Sequence, residues 1–298
     1  MVKPKINNIE EMKELLAEPK NRIKLDDFVT KQLKDFINKT SFEQFSAQDS
    51  NLQKNDFLDR LKRYEEILKD FQRILILLAR WGNKEQLLIL KKCFKRLAEI
   101  ENGSFNSGIW AHLRWFPIQV LMYSSGIAAL PVENYYALKI ILMTYAFLPN
   151  YSIRNEYLPI LVPTNEALSH INDNFKLIPG QERKRVPRSE YLFEFLESSL
   201  QELLFLGKDY ERLFDDFEVY NALIYTDVAK RDFYPIGRFG YKYRQERENG
   251  PINRLVEEAK KRKDKWPPLQ LGMFDGSLNR FLELSEGLKQ RIKELSWF

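Results

Sequence analysis

One cysteine, Cys93, and two histidines, His112 and His170, are the only thiol and imidazole side chains in 298 residues. They are too few for an internal disulfide or a structural zinc site, and they fit a reducing compartment. Glycine (12) and proline (13) are scarce as well, which argues against a fold built from many tight turns. The motifs of common catalysis are missing: no Gly-x-x-x-x-Gly-Lys-Ser/Thr loop, no Gly-x-Gly-x-x-Gly after a strand, no Gly-x-Ser-x-Gly and no His-Glu-x-x-His. Nucleotide hydrolysis and ordinary hydrolase chemistry therefore lack their usual carriers. The segment from Met1 to Asn8 carries two lysines but no apolar run or small-residue cleavage site, so no export signal is expected and the setting is read as cytoplasmic.

What the chain has in quantity is bulk. With 44% hydrophobic residues, 21 Phe, 14 Tyr and 5 Trp, it can fill a sizeable core with long, heavily packed helices. The expectation is an all-α fold: a multi-helix bundle of antiparallel helical hairpins around a central apolar hairpin. Residues 1–50 read as an N-terminal helical arm and 51–298 as a single large all-α domain, with the polar stretch Ser46 to Asn51 between them.

The strongest periodicity is Phe57, Leu61, Tyr64, Leu68, Phe71, Leu75 and Leu78, alternately four and three apart. It predicts a helix of about six turns capped near Asn55 and ended at Gly82 by a left-handed residue. A partner helix is expected over 84–100. The uncharged run from Trp115 to Val132 is interrupted by Pro117 and Pro131, leaving roughly 20 Å of helix against a hydrocarbon thickness of ~30 Å. It reads as a buried hairpin with the run Tyr135 to Leu148, and membrane association is not expected. Further helices are expected over 165–175, from a Ser189 cap to Gly207, along Leu213 to Val228, and from Ser277 onward.

Three basic islands stand out on a chain whose net charge is only +5. The first holds Arg183, Lys184, Arg185 and Arg188. The second runs Lys230 to Arg247 and interleaves Arg238, Lys242 and Arg244 with Phe239, Tyr241 and Tyr243 around two glycines. Cations beside aromatic faces suit single-stranded nucleic acid, or else a bend whose aromatics enter the core while its cations pair with the acidic helix before it. The third, Lys260 to Lys265, lies at a helix end, where the dipole favours cations. His112, Arg114 and Trp115 form a further candidate contact site at the entrance to the apolar hairpin. Asp215, Asp216 and Glu218 read as a solvated acidic face rather than a metal site, because adjacent carboxylates on a helix diverge.

The stretch Arg114-Trp115-Phe116-Pro117 through Tyr123-Ser124-Ser125-Gly126-Ile127-Ala128-Ala129 resembles a helical region of bacterial anti-phage defence proteins. The resemblance continues in Leu213 to Tyr225, in Pro235-Ile236-Gly237-Arg238-Phe239-Gly240 and in Leu271-Gly272-Met273-Phe274-Asp275-Gly276-Ser277. In that group the region follows an effector domain of sirtuin type or Toll/interleukin-receptor type. Here the first 50 residues are too few for such a domain and carry no nucleotide signature, so the resemblance implies a module that recognises or assembles and not an enzyme. The expectation is a non-enzymatic recognition or partner-binding module, without cofactor, metal or catalytic residues, that senses a ligand or meets an effector protein. The alternative is a nucleic-acid-binding protein using Arg183–Arg188 and Arg238–Arg247; a third reading is a helical enzyme with His112 and Arg114 at its centre, which expects an acidic partner beside a buried His112.

Overall fold

The computed structural model describes residues 8–45, 54–100, 108–148, 156–246 and 249–295. Among the described residues the chain is all-α apart from one short hairpin. In order it forms α1 (Asn8–Ala17), α2 (Arg22–Lys39), α3 (Lys54–Trp81), α4 (Leu87–Ala98), α5 (Gly108–Leu113), α6 (Phe116–Ala129) and α7 (Tyr135–Met143). The hairpin strands β1 (Tyr145–Leu148) and β2 (Glu156–Pro159) follow, then α8 (Leu161–His170), α9 (Pro187–Leu204), α10 (Asp209–Ala229), α11 (Phe239–Glu246), α12 (Pro251–Arg262), α13 (Pro267–Gln270) and α14 (Leu278–Glu294).

The apolar hairpin is the centre, as the uncharged run implied. All fourteen residues of α6 are buried, because α6 is enclosed by α3, α4, α7, α8, α9 and α10. Among the described residues one stretch, Gly108–Val132, is long and apolar enough to cross a membrane, yet 83% of its most apolar 18-residue window is buried within the protein. Here it is the core of the bundle. At its crowded side Gly126 faces Phe217 of α10, and a Cβ at that glycine would fall 2.0 Å from the ring. Asn134 then ties the hairpin to α3: its side chain accepts from the Ala137 N–H at 3.3 Å, capping α7, and donates to the carbonyls of Ala79 (2.9 Å) and Gly82 (3.3 Å).

The stripe from Phe57 to Leu78 is buried along its length, and α3 is longer than its periodicity suggested, beginning before Phe57. Asn55 lies inside the helix and is not its cap. Gly82 ends α3 for a different reason from the one expected. It has no positive φ; instead its N–H donates to the Leu78 carbonyl at 2.9 Å, and a Cβ would stand 2.5 Å from that oxygen. The partner helix begins only at Leu87, after Asn83 accepts hydrogen bonds from the N–H groups of Glu85 and Gln86.

The N-terminal arm is not a free arm. Met12, Leu25, Val29, Leu33 and Phe36 belong to the common core, and the buried Gln86 amide donates to the Leu16 carbonyl at 3.2 Å. The polar boundary from Ser46 to Asn51 lies outside the described residues.

Three expectations fail locally. The run to Leu148 does not stay helical: Thr144 turns extended, and Tyr145 to Leu148 pairs antiparallel with Glu156 to Pro159, Phe147 opposite Tyr157. Ser189 is not a cap either. Pro187 starts α9 two residues earlier, consistent with proline's fit to the first helical turn, and the Ser189 hydroxyl is left for another use. The expected helix over 165–175 is shared between α8 and a 3₁₀ turn at Asn172–Leu177, and Ser277 caps α14 as expected, accepting from the Arg280 N–H at 3.2 Å.

Candidate functional site

The acidic cluster of α10 is buried, not solvated: Asp215 is 1%, Asp216 7% and Glu218 2% exposed. The divergence of neighbouring carboxylates does hold, and it gives each a separate partner. Asp215 pairs with Lys242 of α11, while Asp216 takes Arg254 of α12 at 2.8 Å and Arg212 at 3.4 Å. Glu218 accepts from the Ser189 hydroxyl at 2.7 Å and the Tyr123 hydroxyl at 3.3 Å. Ser189 in turn accepts from the Arg238 N–H at 2.9 Å.

Burial dominates the electrostatics of this cluster. It raises Glu218 to about 7 against the opposing hydrogen bond from Ser189, and raises Asp215 to about 6 against the pull of Lys242. It also pushes the Tyr123 phenol well above its usual range, helped by the Glu218 charge. Arg188 is held down by burial and supported by Tyr123 and Glu218. Its Nη1 and Glu218 Oε2 are buried without a hydrogen-bond partner among the described residues.

The first two basic islands meet. Glu190 is shared between Arg238 at 3.7 Å and Lys184 at 3.9 Å. Their cations are mostly neutralised from within. Arg238 also reaches Glu211 at 3.2 Å and lies 3.5 Å from the Phe193 ring centroid, and Lys242 reaches Glu211 at 2.8 Å. Arg183 and Arg185 are exposed. The Arg244 side chain lies outside the described residues. The third island belongs elsewhere, Arg262 pairing with Glu133 at 2.7 Å and Glu258 at 3.4 Å.

At the mouth of the apolar hairpin the three candidates part. Trp115 is buried. Arg114 lies 5.0 Å from the Trp115 ring centroid, donates to the Ile100 carbonyl at 3.2 Å, and is lowered by burial to about 10. His112 stacks on His170, with centroids 4.8 Å apart, so the chain's two histidines form a pair. Burial and that neighbour lower His112. A group beside it that could accept its proton is a second imidazole, not a carboxylate.

The hairpin strands carry a feature that sequence reasoning missed. Tyr145, Phe147 and Tyr157 are 40%, 46% and 58% exposed, and the Tyr145 and Tyr157 rings stack at 5.6 Å. Alternation puts all three on one face, while Ala146 and Leu148 turn to the core. The adjoining pocket, about 740 Å³, contains Tyr145 and charges of both signs: Asp227, Lys230, Arg231, Asp232, Arg280 and Glu283.

No family model matches the chain, and neither the curated proteins nor the solved structures yield a match to it.

Proposed function

We propose that the protein is a non-enzymatic partner-binding module that docks a folded protein, such as an effector, on the aromatic face of its hairpin. The observation carrying this reading is the exposed Tyr145, Phe147 and Tyr157 triplet beside a pocket of mixed charge. A central aromatic cluster with a polar rim is the anatomy of a protein interface. A nucleic acid or an anionic membrane would call for one sign of charge, and this rim holds both. The buried acids of α10 suit a scaffold rather than a reaction centre, since each is tied to a neighbouring element through at least one oxygen, Asp215 to Lys242, Asp216 to Arg254 and Glu218 to Ser189.

A photo-crosslinking amino acid at Phe147 of the full chain in its own cells tests this, with Phe205, 92% exposed elsewhere, as the control position. The expected result is a discrete protein adduct from position 147 that disappears in Tyr145→Ser/Tyr157→Ser and has no counterpart at 205. Identical adducts at both positions would overturn it. So would adducts made of RNA, which support the second reading, nucleic-acid binding, favoured by the meeting of the Arg183–Arg188 and Arg238–Arg247 islands.

A further inference from the structure

A second recess of about 250 Å³ lies between the end of α8, the start of α9, residues 233–236 and the last turns of α14. Its charged walls are three arginines, Arg185, Arg188 and Arg291, and no carboxylate lines it. Arg291 pairs with Glu294 at 3.3 Å, both half exposed. Arg185 has no acidic partner within ion-pair distance among the described residues. Arg188 holds a buried Nη1 with no hydrogen-bond acceptor. Three guanidinium side chains around one small recess with no carboxylate in its walls are an arrangement that an anion completes.

The remaining walls indicate what the anion is attached to. Phe233 is 39% exposed, with Pro235 and Ile236 beside it. Phe233 is also fixed in place: its carbonyl accepts from the Thr226 hydroxyl at 2.8 Å, and its ring meets Tyr225 edge-on at 5.7 Å. Ser169 and Asn172 complete the lining, the Ser169 hydroxyl already donating to the Asn165 carbonyl at 2.7 Å.

We propose that this pocket binds a small phosphorylated molecule bearing a planar ring. The phosphate lies among Arg185, Arg188 and Arg291, and the ring lies against Phe233. A phosphomonoester presents three terminal oxygens and close to two charges, which suits several guanidinium forks better than a single carboxylate does. The volume is just under the usual range for small-molecule sites, enough for a ligand near the size of a mononucleotide. The recess shares Tyr234 with the pocket beside the hairpin but is not lined by Tyr145, Phe147 or Tyr157, so its success or failure is read independently.

Calorimetry on the full chain with AMP, adenosine and inorganic phosphate tests the assignment. AMP is expected to bind, phosphate alone at least about tenfold more weakly, and adenosine not measurably. Arg185→Ala, at an exposed position, should weaken AMP by about tenfold while leaving the melting temperature in place. Phe233→Ala should weaken AMP and leave phosphate binding unchanged. Arg188→Gln is the more direct change, but Arg188 adjoins Glu218, so the exposed Arg185 and Arg291 variants carry the test. Adenosine binding as well as AMP, no AMP binding at about 5 mM, or AMP binding indifferent to both Arg185→Ala and Phe233→Ala would each overturn the proposal. A single-stranded 12-mer that binds more tightly than AMP and loses affinity in Arg185→Ala would replace the small ligand with nucleic acid.

Discussion

The Glu218 carboxylate occupies the space where a side chain on Gly237 would begin: a Cβ built there falls 2.1 Å from Oε1 and 2.2 Å from Oε2. The glycine is needed for this approach rather than for an unusual φ. It lets the segment ahead of α11 close over a buried acid, and the next residue, Arg238, donates its N–H to Ser189, the hydroxyl that bonds the same carboxylate.

Gly237→Ala is therefore expected to cost about 3 kcal/mol, the upper part of the range for overpacking a full site. Denaturant melts of the single and double mutants check it. In a Glu218→Ala background the same substitution should cost under about 1 kcal/mol, because the displaced group is gone. Equal costs in both backgrounds would contradict the contact.

Glu218 also sets an unusual pH response. Its native pKa of about 7 lies above the ~4.3 of an exposed glutamate, and Asp215 at about 6 lies above ~3.9. Between those values the native state holds more protons than the unfolded chain, so these two acids favour folding as pH falls from about 7.5 to 5 and disfavour it as pH rises. Glu218→Gln keeps an acceptor for Ser189 and Tyr123 without the charge. It is expected to stabilise the protein by roughly 2 kcal/mol at pH 8 and by little at pH 5. The depressed His112 works in the opposite direction, which is why the difference between variant and parent is the informative quantity. A difference that does not change with pH would remove Glu218 as its source.

Gly126→Ala brings a methyl group to within 2.0 Å of the Phe217 ring, on a helix with no exposed side toward which to shift. A loss of about 2 to 3 kcal/mol is expected. Phe217→Leu should recover part of it, since the smaller side chain withdraws the aromatic edge. Thermal unfolding of the two single variants and the pair provides the check, and strictly additive losses would argue against direct contact.

The helices were legible wherever burial follows a period or a gap in charge. Phe57 to Leu78 announces α3, and the uncharged run after Arg114 announces α6. The strands were not, because Tyr145-Ala146-Phe147-Leu148 is apolar at every position and continues the hydrophobic run of α7. Nor was the burial of Asp215 and Asp216: the bend could be read as pairing its cations with the acidic helix, as Lys242 does with Asp215, but Arg254, the partner of Asp216, stands 38 residues further on in another helix. The same applies to the histidine pair and to the arginine pocket, whose walls come from residues near 170, 185, 235 and 291. Basic islands can be read along a chain, but which of their members keep an unmatched charge depends on acids contributed by other helices.

The enclosure of α6 has a consequence during synthesis. Its neighbours α3 and α4 precede it, but α8, α9 and α10 follow, the last ending at Ala229, one hundred residues after Ala129. A ribosome-bound chain that has emerged only as far as the end of α9 thus presents an apolar flank of α6 with nothing yet to cover it, at a stage when such surfaces recruit chaperones or self-associate. The order of elements along the gene makes α10 the closing piece, and the time between translating Ala129 and Ala229 is the period in which this protein is most exposed to misassembly.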